Sequence, residues 1–173
     1  MPRPRSIPDR QVYAAIRLLA AQLGEKAVTF GSVARASGLA APSLAQRYGS
    51  RDRMLRAALL DGWDVLDAAL ERADASKSGS AGFLKALAPD ERALGADLTV
   101  LMGGLRDAEL RNRAAQWRDR VITALARRVA KSGRPDRAAA SVLFAAWQGR
   151  VLWSATGKPG FRLKPLAATL KKT

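Results

Sequence analysis

Residues 29–55 read TFGSVARASGLAAPSLAQRYGSRDRML, and the reading of this stretch decides the fold. Thr29 is a good helix cap, and the pattern after it predicts a short helix over 30–37 with Val33 and Ala34 facing inward. Gly38 supplies the left-handed residue that ends it. A second short helix follows over about 41–48, with Pro42 in its first turn, where the missing N–H costs nothing. Gly49 stops that helix, and Ser50 caps a long one. A unit of this size is too small to hold a catalytic cleft. It is the right size for a helix-turn-helix, whose second helix enters the DNA major groove. An ordinary helical hairpin has the same topology, so the side chains must decide. Ala41, Pro42 and Ser43 are small and let the second helix approach base edges. Gln46 and Arg47 follow one turn later and can hydrogen-bond bases or phosphates. Arg51 stands at a helix N-terminus, where the dipole and free N–H groups already favour a phosphate.

Composition agrees with a polyanionic partner. The 173 residues carry 30 Lys and Arg against 15 Asp and Glu, a net charge of +15. Within residues 1–56 ten basic residues face three acidic ones, Asp9, Glu25 and Asp52, for a net +7. Arg3 and Arg5, set among prolines, form a basic arm of the kind that follows the DNA backbone or enters the minor groove. The chain has neither cysteine nor histidine. Disulfides, thiol catalysis, Cys-based metal sites and imidazole acid–base chemistry are thereby excluded. No cofactor or metal is expected. The beginning MPRPRSIPDR lacks an apolar run, and no stretch approaches the roughly 20 apolar residues of a membrane span. The expectation is a cytoplasmic protein.

Working outward, Val12, Ala15, Ile16, Leu19, Ala20 and Leu23 make one face of a first amphipathic helix, with Ser6 as its cap and Gly24 as its end. The long helix after Ser50 has the face Leu55, Leu59, Trp63, Leu66, Leu70 and Ala73. SKSGS at 76–80 is a loop by composition. A short helix over 81–88 follows, then one beginning at Pro89 and broken by Gly103–Gly104. Long helices are expected over about 106–131 and 136–156, separated by SGRP at 132–135. Residues 161–172 form a last short helix or a frayed tail. No alternating strand pattern and no repeat is present, so the fold class is all-α.

The helix-turn-helix resembles that of the TetR family of bacterial transcriptional regulators. Thr29, Val33, Ala34, Ser37, Gly38 and Leu39 match the family pattern in register, as do Pro42, Ser43 and Leu44. Tyr48 replaces the usual Phe, and Ser50–Arg51 replaces Ser-Lys. Ala40 stands where the family has a capping Ser, Ala45 where a phosphate-contacting Tyr is common, and Arg47 where a His is common. The resemblance implies a three-helix DNA-binding domain over 1–56 and a helical regulatory and dimerisation domain over 57–173. It implies a homodimer on a palindromic operator, with repression relieved by a small ligand. Thr29, Ala41, Pro42, Ser43, Gln46, Arg47, Tyr48 and Arg51 are the candidate DNA-binding residues.

In the family the last two long helices pair with those of a second subunit, here about 106–131 and 136–156. Val142, Ala146, Gly149 and Trp153 would supply the seam, although intramolecular packing would produce the same stripe. Trp63, Leu98, Leu101, Met102, Trp117 and Trp147 are the candidate lining of an apolar ligand pocket, with Phe83 beside them and Asp97 and Gln148 as polar anchors. They would equally serve as plain core. Two further readings compete. Asp61, Asp64, Asp67, Glu71 and Asp74 share one side of the long helix, which suits a solvated face better than a catalytic carboxylate pair. A basic helical module could also bind nucleic acid or acidic membrane without sequence preference, using a tail with Lys158, Arg162, Lys164, Lys171 and Lys172.

Overall fold

The structure, a computed structural model, describes residues 7–76, 78–130, 133–157 and 162–172. The basic arm with Arg3 and Arg5, the cap Ser6, and Lys158 of the tail lie outside the described residues. Among the described residues there is no strand, and no helix is long and apolar enough to cross a membrane.

The elements are α1 (Asp9–Leu23), a 3₁₀ turn (Glu25–Ala27), α2 (Phe30–Ser37), α3 (Ala41–Tyr48), α4 (Arg51–Ala75), α5 (Ser80–Leu87), α6 (Glu91–Gly103), α7 (Ala108–Arg128), α8 (Arg137–Leu152), a second 3₁₀ turn (Ser154–Thr156) and α9 (Leu163–Lys172). Their ends follow local chemistry. Thr29 Oγ1 accepts the Ser32 N–H at 3.1 Å while Ser32 Oγ accepts the Thr29 N–H at 2.9 Å, a reciprocal box at the start of α2. Gly38, at φ +77°, closes α2. Ser50, Asp90, Asp107 and Asp136 cap α4, α6, α7 and α8. The expected starts at Pro89 and Arg106 therefore move to Glu91 and Ala108, because an Asp just beyond each accepts the free N–H groups.

α1 packs on α2, α4 and α6, and α4 continues against α5, α6 and α7. α4 thus runs unbroken through the expected boundary after residue 56. Its apolar face from Leu55 to Ala73 is buried as predicted. Leu23 is not: it ends α1 with 66% exposure, past the last turn that α4 covers.

Two charged groups are inside. Arg17 of α1 lies across α4 and donates through Nη1 to Asp61 Oδ2 at 2.7 Å and to the Ala58 carbonyl at 2.8 Å. Gly62 makes the room, since a Cβ there would stand 3.0 Å from Arg17 Cδ and 2.6 Å from Leu101 Cδ2. Both partners are buried, and each finds its opposite charge there rather than lying isolated. Asp61 therefore leaves the expected solvated stripe.

The rest of that stripe is also occupied. Arg113 of α7 pairs with Asp64 and Asp67, Arg120 with Asp67 and Glu71, and Arg127 and Arg128 with Asp74. Arg128 further stacks over the Phe83 ring at 4.3 Å. The carboxylates of α4 and the guanidiniums of α7 form a ladder that zips the two helices. Asp64 and Glu71 stay exposed, so the face is solvated as expected, and what the chain did not reveal is its row of arginine partners.

Candidate nucleic-acid interface and ligand cavity

α3 buries one side chain, Leu44, and turns the others outward. Pro42, Ser43, Gln46 and Arg47 are exposed, and Ala41 is half-buried. The spacing puts these residues along one side of the helix. Ala40 occupies the cap position of α3 with no side-chain hydrogen bond, so the free N–H groups of the first turn point outward unsatisfied by the protein. Pro42 removes one of them.

The C-terminal end of α3 is bolted to α1. Tyr48 Oη donates to Asp9 Oδ1 at 2.8 Å, and its ring meets Tyr13 at 6.0 Å. Burial, then the hydrogen bond to Asp9, raises the Tyr48 phenol above its ordinary range, so it stays a neutral donor. Arg47 Nη1 donates to the same Asp9 oxygen at 3.0 Å and to the Ile7 carbonyl at 3.3 Å. The Arg47 guanidinium also meets the Tyr48 hydroxyl, and it remains exposed to solvent. Tyr48 is a brace, and Arg47 is part brace, part exposed cation.

Arg51 is mostly engaged. Nε donates to the Val28 carbonyl at 2.7 Å, Nη2 to the Glu25 carbonyl at 2.5 Å, and Nη1 to Asp52 at 3.0 Å. It ties the start of α4 to the turn that precedes α2. The freer cations on this end of the molecule are Lys26, Arg35 and Arg53, for which no ion pair or hydrogen bond appears among the described residues. Arg53 Nη1 lies 3.6 Å from where a Cβ of Gly49 would be, beside the α3–α4 turn. Sequence reading counted these three only within a net charge. The signal that separates them is the absence of a carboxylate or carbonyl within reach, which is a property of the folded chain.

The second site is an open cavity of about 410 Å³ lined by α4, α6, α7 and α8. Trp63, Leu98, Met102 and Trp117 line it, as expected, with Gln148 as a polar group. Leu101, Trp147 and Phe83 do not line it. They are fully buried in the surrounding core, where Trp147 packs on Trp117 and Phe144. Asp97 is absent from the lining too. It is half-buried on α6 near Arg17, and burial raises its carboxyl above the usual range. Phe144, Leu105, Arg111 and Arg118 complete the wall and were missed. No cluster of three metal-capable side chains occurs among the described residues.

Residues 71–171 match the family of Tetracyclin repressor-like C-terminal domains, which is more than half of the chain. The protein belongs to the TetR family. Members of the family are DNA-binding transcriptional regulators and not enzymes. Solved structures agree in fold. A TetR-like regulator from Rhodococcus sp. RHA1 is 18% identical with a TM-score of 0.71, over 99% of this chain and 95% of its own. A transcriptional regulator from Saccharomonospora viridis, in complex with choline, is 14% identical at 0.67, over 95% and 93%. The TetR-like regulator LfrR from Mycobacterium smegmatis, in complex with proflavine, is 24% identical at 0.60, over 94% and 91%. No curated protein matches the sequence.

Proposed function

We propose that this TetR-family regulator is a sequence-specific double-stranded DNA-binding repressor, released from a palindromic operator by a small apolar ligand. The observation that carries the reading is the outward side of α3, where Pro42, Ser43, Gln46 and Arg47 stand exposed over a single buried anchor, Leu44. In this reading Ala41, Pro42 and Ser43 allow close approach, and Gln46 contacts base edges. Thr29, Lys26, Arg35, Arg53 and the exposed Arg47 hold phosphates, and Arg51 and Tyr48 position the helices that carry them.

A palindrome needs two recognition helices related by a two-fold axis. The face of α8 suits a homodimer. Val142 is 53% exposed and Trp153 70%, with the small Ala146 and Gly149 between them. The neighbouring side of α7 would share the seam. The cavity between α4, α6, α7 and α8 is the ligand site in this reading, and its aromatic walls favour an apolar body.

Selection of bound sequences from a random duplex pool tests the function. Enrichment of a palindromic consensus, preferred by about 10³-fold or more over random duplex, is the expected result. Binding without any enriched motif would place the protein with non-specific basic modules. Steep salt dependence accompanies both outcomes and does not separate them.

A further inference from the structure

Taking the cavity as the ligand site, we infer that it selects a hydrophobic monoanion, an apolar body ending in a carboxylate, over neutral or cationic compounds of the same shape. The argument rests on what the wall contains and on what it lacks. Three aromatic rings, Trp63, Trp117 and Phe144, give it an apolar floor. Its charged residues are Arg111 and Arg118, and no Asp or Glu lines it. The concavity at the α4–α7 ladder, by contrast, contains Glu71, Asp74 and Asp119.

α7 itself supplies the comparison. Arg113, Arg120, Arg127 and Arg128 each meet a carboxylate of α4. Arg111 and Arg118 sit seven residues apart, on a common side of α7 about 10 Å from end to end. Neither has a carboxylate partner among the described residues. Arg111 Nη1 donates to the Leu105 carbonyl at 3.0 Å and, at 3.5 Å, to that of Arg106. Its other nitrogens remain free, and Arg118 makes no hydrogen bond among the described residues. α7 pairs its four other arginines with carboxylates of α4 and leaves these two, both exposed, on the lining of the cavity.

An independent observation lies deeper. Trp63 is 1% exposed, and its indole N–H has no acceptor within the protein. Trp147 Nε1 is unpaired in the same way away from the cavity; Trp63 differs in forming part of the wall, where an acceptor that reached its N–H would relieve the cost of a buried, unpaired donor. Arg111, Arg118 and Trp63 offer only donors, and Gln148 can add its amide N–H. Such a set binds an acceptor-rich anion through charge-assisted hydrogen bonds and offers little to an ammonium group.

The test uses three compounds with one body, 2-naphthoate, 2-naphthamide and 2-naphthylmethylammonium, titrated calorimetrically into the full chain. Naphthoate should bind at least about tenfold more tightly than the amide, and the ammonium most weakly. Arg118→Ala should remove most of the naphthoate advantage, weakening naphthoate far more than the amide, and Arg118→Lys should retain part of it. If the amide or the ammonium binds as tightly as naphthoate, the anion preference is wrong and the ligand-site reading stands. If naphthoate binds best but neither Arg118→Ala nor Arg111→Ala affects it, the site is elsewhere and the inference fails. If none of the three binds, both the inference and the cavity's role as ligand site are overturned.

Discussion

Arg51 and Arg53 are two residues apart and have opposite tasks. Arg51 donates to the Val28 and Glu25 carbonyls, so truncation leaves two acceptors without a charged donor. Arg51→Ala should lower stability by about 1–2 kcal/mol in a urea titration, and weaken DNA binding as a consequence. Arg53 makes no such bonds. Arg53→Ala should leave the unfolding curve in place while weakening binding on all sequences and reducing the salt slope by about 1. Equal stability losses in the two variants would contradict this division. Asp97 gives a pH-dependent case. Burial raises its folded-state pKa, so its contribution to stability is most favourable below the unfolded carboxylate value of about 4 and declines as pH rises through the folded value. Asp97→Asn should therefore melt higher than the parent at pH 7, with the gain vanishing as the pH is lowered toward 4. A gain that persists at low pH would mean that charge is not its source.

At the scale of elements, close approach decides what can change. In α6, a Cβ on Gly95 would lie 2.5 Å from the Val151 carbonyl oxygen of α8. Backbone cannot step aside as a flexible side chain can. Gly95→Ala should cost about 1–3 kcal/mol in equilibrium unfolding, by forcing α6 away from α8. An unchanged midpoint would show that the two helices separate freely. The same scale explains what could be read from the chain. Helix ends were legible because each depends on a few adjacent residues: Thr29, Gly38 and Ser50 did what their types dictate. The apolar face of α4 was legible because periodicity records it. The ladder to α7 was not, since Asp67 and Arg120 are 53 residues apart and a carboxylate row looks alike whether it faces water or arginine. The burial of Arg17 was hidden in the same way, its partner Asp61 lying 44 residues along the chain. Among the cavity candidates Trp63, Leu98, Met102 and Trp117 line the wall, while the equally apolar Leu101 and Trp147 sit behind it. Hydrophobicity marks the interior without telling wall from filling.

For the whole molecule, the ladder changes the meaning of the net charge. Much of the arginine of α7 is neutralised against α4, while residues 1–56, about a third of the chain, carry +7 of the net +15. That distribution favours one oriented encounter with DNA over diffuse adhesion. The exposed apolar face of α8 has its own test. Trp153→Glu should convert a dimer to a folded monomer by sedimentation velocity, because the 70%-exposed indole contributes little to the protomer's own core. A variant that stays dimeric would move the interface away from α8.

The grip of Arg17 on α4 has a mechanical side. α4 is a single rod, and Arg17 holds it at Ala58 and Asp61. Trp63, at the cavity, stands two residues beyond Asp61, or about 3 Å along the axis, whereas Arg51 stands ten residues before it, or about 15 Å. Were α4 to pivot at that grip, against the ladder to α7 and the bonds of Arg51, its two arms would be unequal. A ligand that tilts the rod by shifting Trp63 a few tenths of an ångström would swing the far end about five times as far, at the place where Gly49 hands the chain from the recognition helix to α4.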